Sequence, residues 1–386
     1  MTFLRRFIAF LYVILVFSMA FATLIERLSS TAEAHHLIYG AWWFSTMWGL
    51  LLLSGLVFFF FYLKHSGRRR ITLLGLHVSF SVILIGAFVT HKKAVRGEVY
   101  LRSGDVVQQM NVRQENGCII VHHLPFQIQL DSFYVVRDNR MLITDYVSCL
   151  SFHLDKEEVK ANVGVNKVTT FHGYRFCQSS CDEEFQGTIL SVNYDPIGIP
   201  LTYAGYAFLF LSLLAFLPTQ KHSCVSLLYA GAVGALWCVY YFFYNASWRT
   251  IPVLRHPLLA VHVLTIIFAY ALFLVLALQS ARALLWKNDH ISLRPLLNLA
   301  LSMLSIGVFV GAIWANISWG AYWSWDAKET WALITLMVYA VPAHRPLLVW
   351  LRKDRNYHAY LLGAFVFILF TYFGVNHLFS GLHSYL

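Results

Sequence analysis

Residues 314–331 read Trp-Ala-Asn-Ile-Ser-Trp-Gly-Ala-Tyr-Trp-Ser-Trp-Asp-Ala-Lys-Glu-Thr-Trp, between an apolar run over 295–313 and another over 332–343. Five of the chain's twelve tryptophans fall here: Trp314, Trp319, Trp323, Trp325 and Trp331. Asp326, Lys328 and Glu329 sit among them. A polar, indole-rich segment joining two apolar runs belongs at a membrane surface or just outside it. An interfacial aromatic belt accounts for a few scattered rings. This density fits better a platform for a large flat apolar ligand with polar edges, because indoles offer wide, stiff faces and N–H groups that reach polar substituents.

The rest of the chain agrees with a membrane setting. Its 386 residues are 58% hydrophobic and 12% charged, against about 25% charged in a soluble domain. Runs of about 17–25 residues, long enough to span a bilayer, lie near 7–25, 44–63, 71–90, 200–217, 224–243, 259–280, 296–316, 332–347 and 359–376. The expectation is a mostly α polytopic membrane protein of about nine transmembrane helices. The first run lacks a clear cleavage site before Glu26 and Arg27 and reads as a retained anchor.

The net charge of +10 is not a nucleic-acid signal. One set of short loops holds fourteen Lys and Arg, including Arg5, Arg6, Lys64, Arg68, Arg282, Arg294, Arg345 and Arg352; the alternate set holds four, Arg27, Arg249, Arg255 and Lys328. The positive-inside rule then puts the amino terminus in the cytoplasm of an inner-membrane protein, with the tryptophan segment and the carboxyl terminus outside.

Residues 91–199 form the one sizeable soluble piece, expected outside. Strand-like runs over 117–122, 126–130 and 188–194, the last followed by Asp195-Pro196-Ile197-Gly198, read as a small β-rich domain. It divides the helices over 1–90 from a helix over 200–217 and a second membrane part over 224–386. The six cysteines contain no Cys-x-x-Cys pair, which argues against covalent haem on this chain. Cys177 and Cys181, facing an oxidising compartment, read first as a structural disulfide with each other or with another external cysteine, and second as exchange thiols.

Histidines inside spans are costly and are functional candidates. His77 lies some six residues into the third span, about 10 Å deep. His344 ends the eighth span on the same side. His262 opens the sixth span on the other side, and His383 lies in the tail there. Imidazole pairs are good axial ligands for haem iron. His256 and His377 are alternatives to His262 and His383.

The pattern Trp319-Gly320-x-x-Trp323-x-Trp325-Asp326-x-x-Glu329 resembles the "WWD" signature of haem-handling membrane proteins in cytochrome c maturation. With Leu259-Ala260-Val261-His262-Val263, the ending Gly381-Leu382-His383-Ser384-Tyr385, and His77 in the third span, the whole chain resembles the fused CcsBA (ResB–ResC) type. The resemblance implies a holocytochrome c synthase, with iron protoporphyrin IX (haem b) as bound substrate. Its partner is an apocytochrome c carrying Cys-x-x-Cys-His, with thiol-reducing proteins alongside and no nucleic acid. It implies His77 and His344 as ligands of a haem within the membrane, and His262 and His383 as the outer pair. Trp314, Trp319, Trp323, Trp325 and Trp331 bind the outer haem, and Trp319, Trp323, Trp325 and Asp326 form the reaction site. A b-type electron-transfer subunit, or a haem exporter without ligation activity, are the rival readings.

Overall fold

A computed structural model describes residues 2–63, 69–114, 118–184, 186–217, 231, 234, 252–286 and 292–379. The long helices are α1 (Thr2–Leu28), α2 (Trp42–Leu63), α3 (Arg69–Lys93), α4 (Gly198–Phe216), α5 (Pro257–Leu285), α6 (Arg294–Trp319), α7 (Ala327–Ala343) and α8 (Asp354–Leu369). The last continues through a π turn, Phe370–Gly374, into Val375–Leu378. Among the described residues seven helices are long and apolar enough to cross a membrane. Helix α7, with 17 residues, takes the place of the expected span over 332–347. The run over 224–243 lies outside the described residues. Outward-facing side chains such as Phe60, Leu211 and Leu214 are well exposed, as suits helices solvated by lipid rather than water.

Helices α3 and α4 pack backbone to backbone. A Cβ on Gly86 would lie 2.7 Å from the Thr202 amide nitrogen, and one on Gly205 would lie 2.9 Å from that of Ile83. In lipid, helices gain little from burying apolar surface against each other, so small residues that permit close approach carry such a seam. The Asp195 turn closes the pair. Asp195 Oδ1 accepts from the Gly198 amide at 2.7 Å, and Oδ2 accepts from Thr90 Oγ1 at 2.6 Å.

The segment between α3 and α4 is the expected β-rich domain. It consists of β1 (Val95–Arg102), β2 (Val106–Arg113), β3 (Ile119–Arg137), β4 (Ile143–Leu154), β5 (Glu157–Val163), β6 (Thr169–Phe171), β7 (Tyr174–Cys181) and β8 (Gly187–Tyr194). They make one antiparallel sheet in the order β5-β4-β3-β2-β1-β8-β7-β6. The sheet curls until it nearly closes, with Ser148 Oγ of β4 donating to Gln178 Oε1 of β7 at 2.8 Å across the interior. Phe126, Phe152, Phe171 and Phe176 fill that interior. Residues 119–122 and 126–130 of those runs prove to be parts of a single strand, β3. Pro125 lacks an N–H for the ladder, and it falls where the pairing with β2 shifts between Val107 and Gln109.

The disulfide expected for Cys177 and Cys181, with each other or with another external cysteine, does not form: both are free thiols. Both lie in β7, four residues apart along one strand. At about 3.3 Å per residue their Cα atoms are about 13 Å apart, whereas a disulfide needs no more than about 7 Å.

Candidate functional site

Helix α6 ends at Trp319, and Gly320 leaves it in the left-handed region at φ 78°. Helices commonly stop this way, and glycine takes the conformation without a Cβ penalty. Here space adds a second reason, since a Cβ on Gly320 would lie 3.0 Å from Cys177 Sγ. Gly320→Ala should lower stability by about 1–2 kcal/mol for the left-handed conformation alone. Cys177→Ala in that background should return only the part due to crowding, which a denaturation cycle of the four proteins resolves. Burial pushes the Cys177 thiol up to about 11, so it carries almost no thiolate at neutral pH and makes a poor exchange nucleophile.

Beyond Gly320 the segment is fixed by the start of α7. Asp326 is its N-cap, accepting from the Glu329 amide at 2.8 Å. Glu329 reaches back with Oε2 to the amides of Ser324 (2.7 Å) and Trp325 (2.9 Å) and to Ser324 Oγ (3.1 Å). This is a capping box extended backward, and it holds Trp325 at φ 61°. Asp326, only 5% exposed, is thus engaged in building the segment. The spacing Asp326-x-x-Glu329 before an apolar run was a signal for this in the sequence.

The five indoles do not share one plane. Trp314 and Trp319 meet at 69°, with centroids 4.8 Å apart, and pack with Leu254, Leu259 and Val263 at the start of α5. Trp325 is stacked on Tyr39 at 4.7 Å, and Trp331 lies against Phe370 while its Nε1 donates to Thr23 Oγ1 at 3.2 Å. Trp323 stands between two apolar clusters, one around α5, α6 and α8 and the other around α3, α4 and α6. Its buried Nε1 has no hydrogen-bond partner among the described residues. A buried donor without a partner is costly, and a ligand with polar edges would satisfy it.

The β domain is docked on this segment. Along β7 and β8, Phe176, Leu190 and Val192 point into the domain core, so Arg175, Cys177, Ser191 and Asn193 point outward. Arg175 donates to Asn316 Oδ1 (2.6 Å) and to the Asn316 carbonyl (3.2 Å). Asn193 Nδ2 donates to the Gly320 carbonyl at 2.7 Å. Tyr322 Oη donates to Thr90 Oγ1 at 2.8 Å. At the end of α6, the Asn316 and Gly320 carbonyls therefore receive donors from another domain. No property of the separate segments announced these contacts.

Three of the four candidate ligands are described, and they share one arrangement. His77 Nδ1 lies 2.7 Å from the Leu73 carbonyl, His344 Nδ1 2.8 Å from that of Ala340, and His262 Nδ1 2.7 Å from that of Gly307. A carbonyl only accepts, so each Nδ1 carries the proton and Nε2 the lone pair. That is the tautomer a metal-ligating histidine has when a backbone carbonyl orients it. His256 does the opposite: its Nδ1 accepts from the Leu258 amide at 3.1 Å as the N-cap of α5. His77 and His344 come together at the end of the bundle away from the β domain, with ring centroids 5.9 Å apart and planes at 88°. His262 lies at the β-domain end, its ring seated over Gly311, where a Cβ would come 2.5 Å from Nδ1. His377 is exposed at the end of α8, and His383 lies outside the described residues. Among the described residues no group of three or more His, Cys, Asp or Glu could hold a metal ion. The histidine pair suits an ion whose remaining ligands arrive with it, as in a porphyrin.

Residues 64–196 match the ResB-like family, and residues 199–383 match the cytochrome C assembly protein family. Side by side in one chain, the two matches support a fused ResB–ResC type. Within it, the ResB-like match takes in α3 and the β domain, and the assembly match takes in α4 through α8 and the tryptophan segment. Similar proteins include Protein NrfI of Wolinella succinogenes, 41% identical over 150 residues, which are 35% of this chain and 17% of NrfI. The cytochrome c biogenesis protein CcsA of Chlamydomonas reinhardtii is 36% identical over 151 residues, 35% of this chain and 42% of that protein. CcsA of Trichormus variabilis is 47% identical over 98 residues, 25% of this chain and 27% of that protein. The chain thus covers less than half the length of these relatives.

Proposed function

We propose that this ResB–ResC fusion carries haem b across a membrane and joins it covalently to the Cys-x-x-Cys-His motif of an apocytochrome c. The observation that carries this reading is the common tautomer of His77, His344 and His262, placed at the two ends of one helical bundle. His77 and His344 receive haem at the end away from the β domain, taken as cytoplasmic from the loop charges. His262, with His383 from the tail, holds it beside the tryptophan segment on the outer side. His262 is favoured over His256 because His256 commits its Nδ1 lone pair to a helix cap.

At the outer site the chain's own contribution is orientation. A substrate thiol adds across a haem vinyl group: sulfur bonds to the carbon next to the ring, the thiol proton goes to the outer carbon, and no electron is gained or lost overall. Fixing both partners removes translational and rotational freedom beforehand, which is where most of the rate gain arises. Trp319 and Trp323 hold the macrocycle, while Trp325 and Asp326 keep the segment in shape. The substrate's histidine then replaces one protein ligand. Thiol-reducing proteins keep the substrate cysteines available.

Co-expression of the full chain with an apocytochrome c in haem-replete cells tests the reading. The expected result is a c-type product whose haem resists acid–acetone extraction. A purified protein that carries bis-imidazole haem but yields no such product would leave a haem exporter. Absence of haem from the purified protein would end the haem reading altogether.

A further inference from the structure

The pairing of β1, β8 and β7 puts Arg96 directly opposite Asn193, and Asn193 directly opposite Arg175. In β1 the core positions are Val99 and Leu101, with Val95 packed against them, so Arg96 points outward, as Asn193 and Arg175 do. Directly opposed residues on neighbouring strands share a face and lie about 4.5–5.5 Å apart at Cβ. The three side chains therefore form one row across the sheet, aimed at the tryptophan segment. Two members of the row are committed: Arg175 holds Asn316, and Asn193 holds Gly320. Arg96 makes no hydrogen bond and no salt bridge among the described residues.

Arg96 is exposed, yet burial among protein atoms pulls its pKa down, with Tyr322, Asp195 and Glu329 opposing at longer range. The nearby carboxylates are occupied, Asp195 by Thr90 and the Gly198 amide, Glu329 by Ser324 and Trp325. A guanidinium stays charged in such a place. Beside it, Asn193 is 2% exposed, and its Oδ1 has no hydrogen-bond partner among the described residues.

We infer that Arg96 is an anion-binding residue of the tryptophan-segment site, pairing with a carboxylate on the edge of the flat ligand. On the proposed function, on which this rests, that carboxylate is a haem propionate. The guanidinium fork matches a carboxylate in two parallel hydrogen bonds. With Arg96 at the β-domain side and Trp323 between the helices, the macrocycle acquires a defined orientation, which the choice of vinyl group facing the substrate requires.

The test uses the full chain carrying His77→Ala and His344→Ala, so that only the outer site binds. Haemin and haemin dimethyl ester, whose propionates carry no charge, are titrated while the bis-imidazole absorption is followed. Arg96→Ala should weaken haemin binding about tenfold to a hundredfold, the range for a charge-assisted hydrogen bond, and leave the ester unchanged. Arg96→Lys should recover most of the loss. Equal haemin binding by Arg96→Ala and its parent overturns the inference and leaves the function intact; it is also what an arginine serving a lipid headgroup predicts. Equal weakening of both probes assigns Arg96 a purely structural part and overturns it too. If the parent shows no bis-imidazole spectrum with either probe, the proposed outer site fails, and the inference with it.

Discussion

His262→Gly is expected to abolish bis-imidazole haem at the tryptophan-segment site and, with it, covalent cytochrome c product. The ring is oriented by Nδ1, which donates to the Gly307 carbonyl at 2.7 Å, and it occupies the space that Gly311 leaves for it. Removing the ring removes the proposed ligand together with its seat against Gly311 of α6. Added imidazole should therefore restore the low-spin spectrum in the glycine variant, which an unfolded protein would not allow. Gly311→Ala supplies the sharper form of the prediction. Its methyl group would sit 2.5 Å from Nδ1, so the ring must turn out of its seat although every ligand is still present. The expected result is loss of the same spectral band and at least a tenfold fall in product, with imidazole giving partial rescue. Normal haem binding by Gly311→Ala would show that the ring position described here is not the ligating one. His77→Ala and His344→Ala should instead remove the haem at the opposite end and leave the outer site able to take added haemin.

Glu329→Ala should produce a large loss of stability in the tryptophan segment. Two amides, those of Ser324 and Trp325, lose their acceptor, at about 1–3 kcal/mol for each buried N–H left without a partner. Because both are partly buried, the expected total is roughly 2–4 kcal/mol. Trp325 then leaves its left-handed backbone conformation, and its stack on Tyr39 separates. Thermal unfolding and tryptophan fluorescence of the purified protein would read both effects. Glu329→Gln keeps an acceptor oxygen and should recover about half of the stability and most of the haem binding. A general acid would behave differently, with the glutamine variant stable but as inactive as the alanine one. That outcome would move Glu329 from shaping the segment to the chemistry itself.

Much of this protein was legible in the sequence because its signals are local. Hydropathy over 17 or more residues defines a span wherever it occurs, and β-rich alternation between two spans defines a soluble insert. The tryptophan pattern, with its glycine and two carboxylates, marked the segment on which the chain is built. The lone histidines in apolar runs named the ligand candidates for the same reason, since an ionisable group in lipid has to be compensated.

The tertiary structure decided what depends on a second chain segment. Whether Nδ1 of a histidine gives or takes a hydrogen bond is set by a neighbouring backbone group, and this separates His262 from His256. Strand periodicity says that Arg96, Asn193 and Arg175 each lie on one face of their own strand. Only the register of β1, β8 and β7 joins them into a row, and only the curl of the sheet aims that row at the end of α6. The cysteines went the other way. Composition and compartment suggested a disulfide for Cys177 and Cys181, with each other or with another external cysteine; an extended strand holds the two too far apart to bond to each other, and both are free thiols.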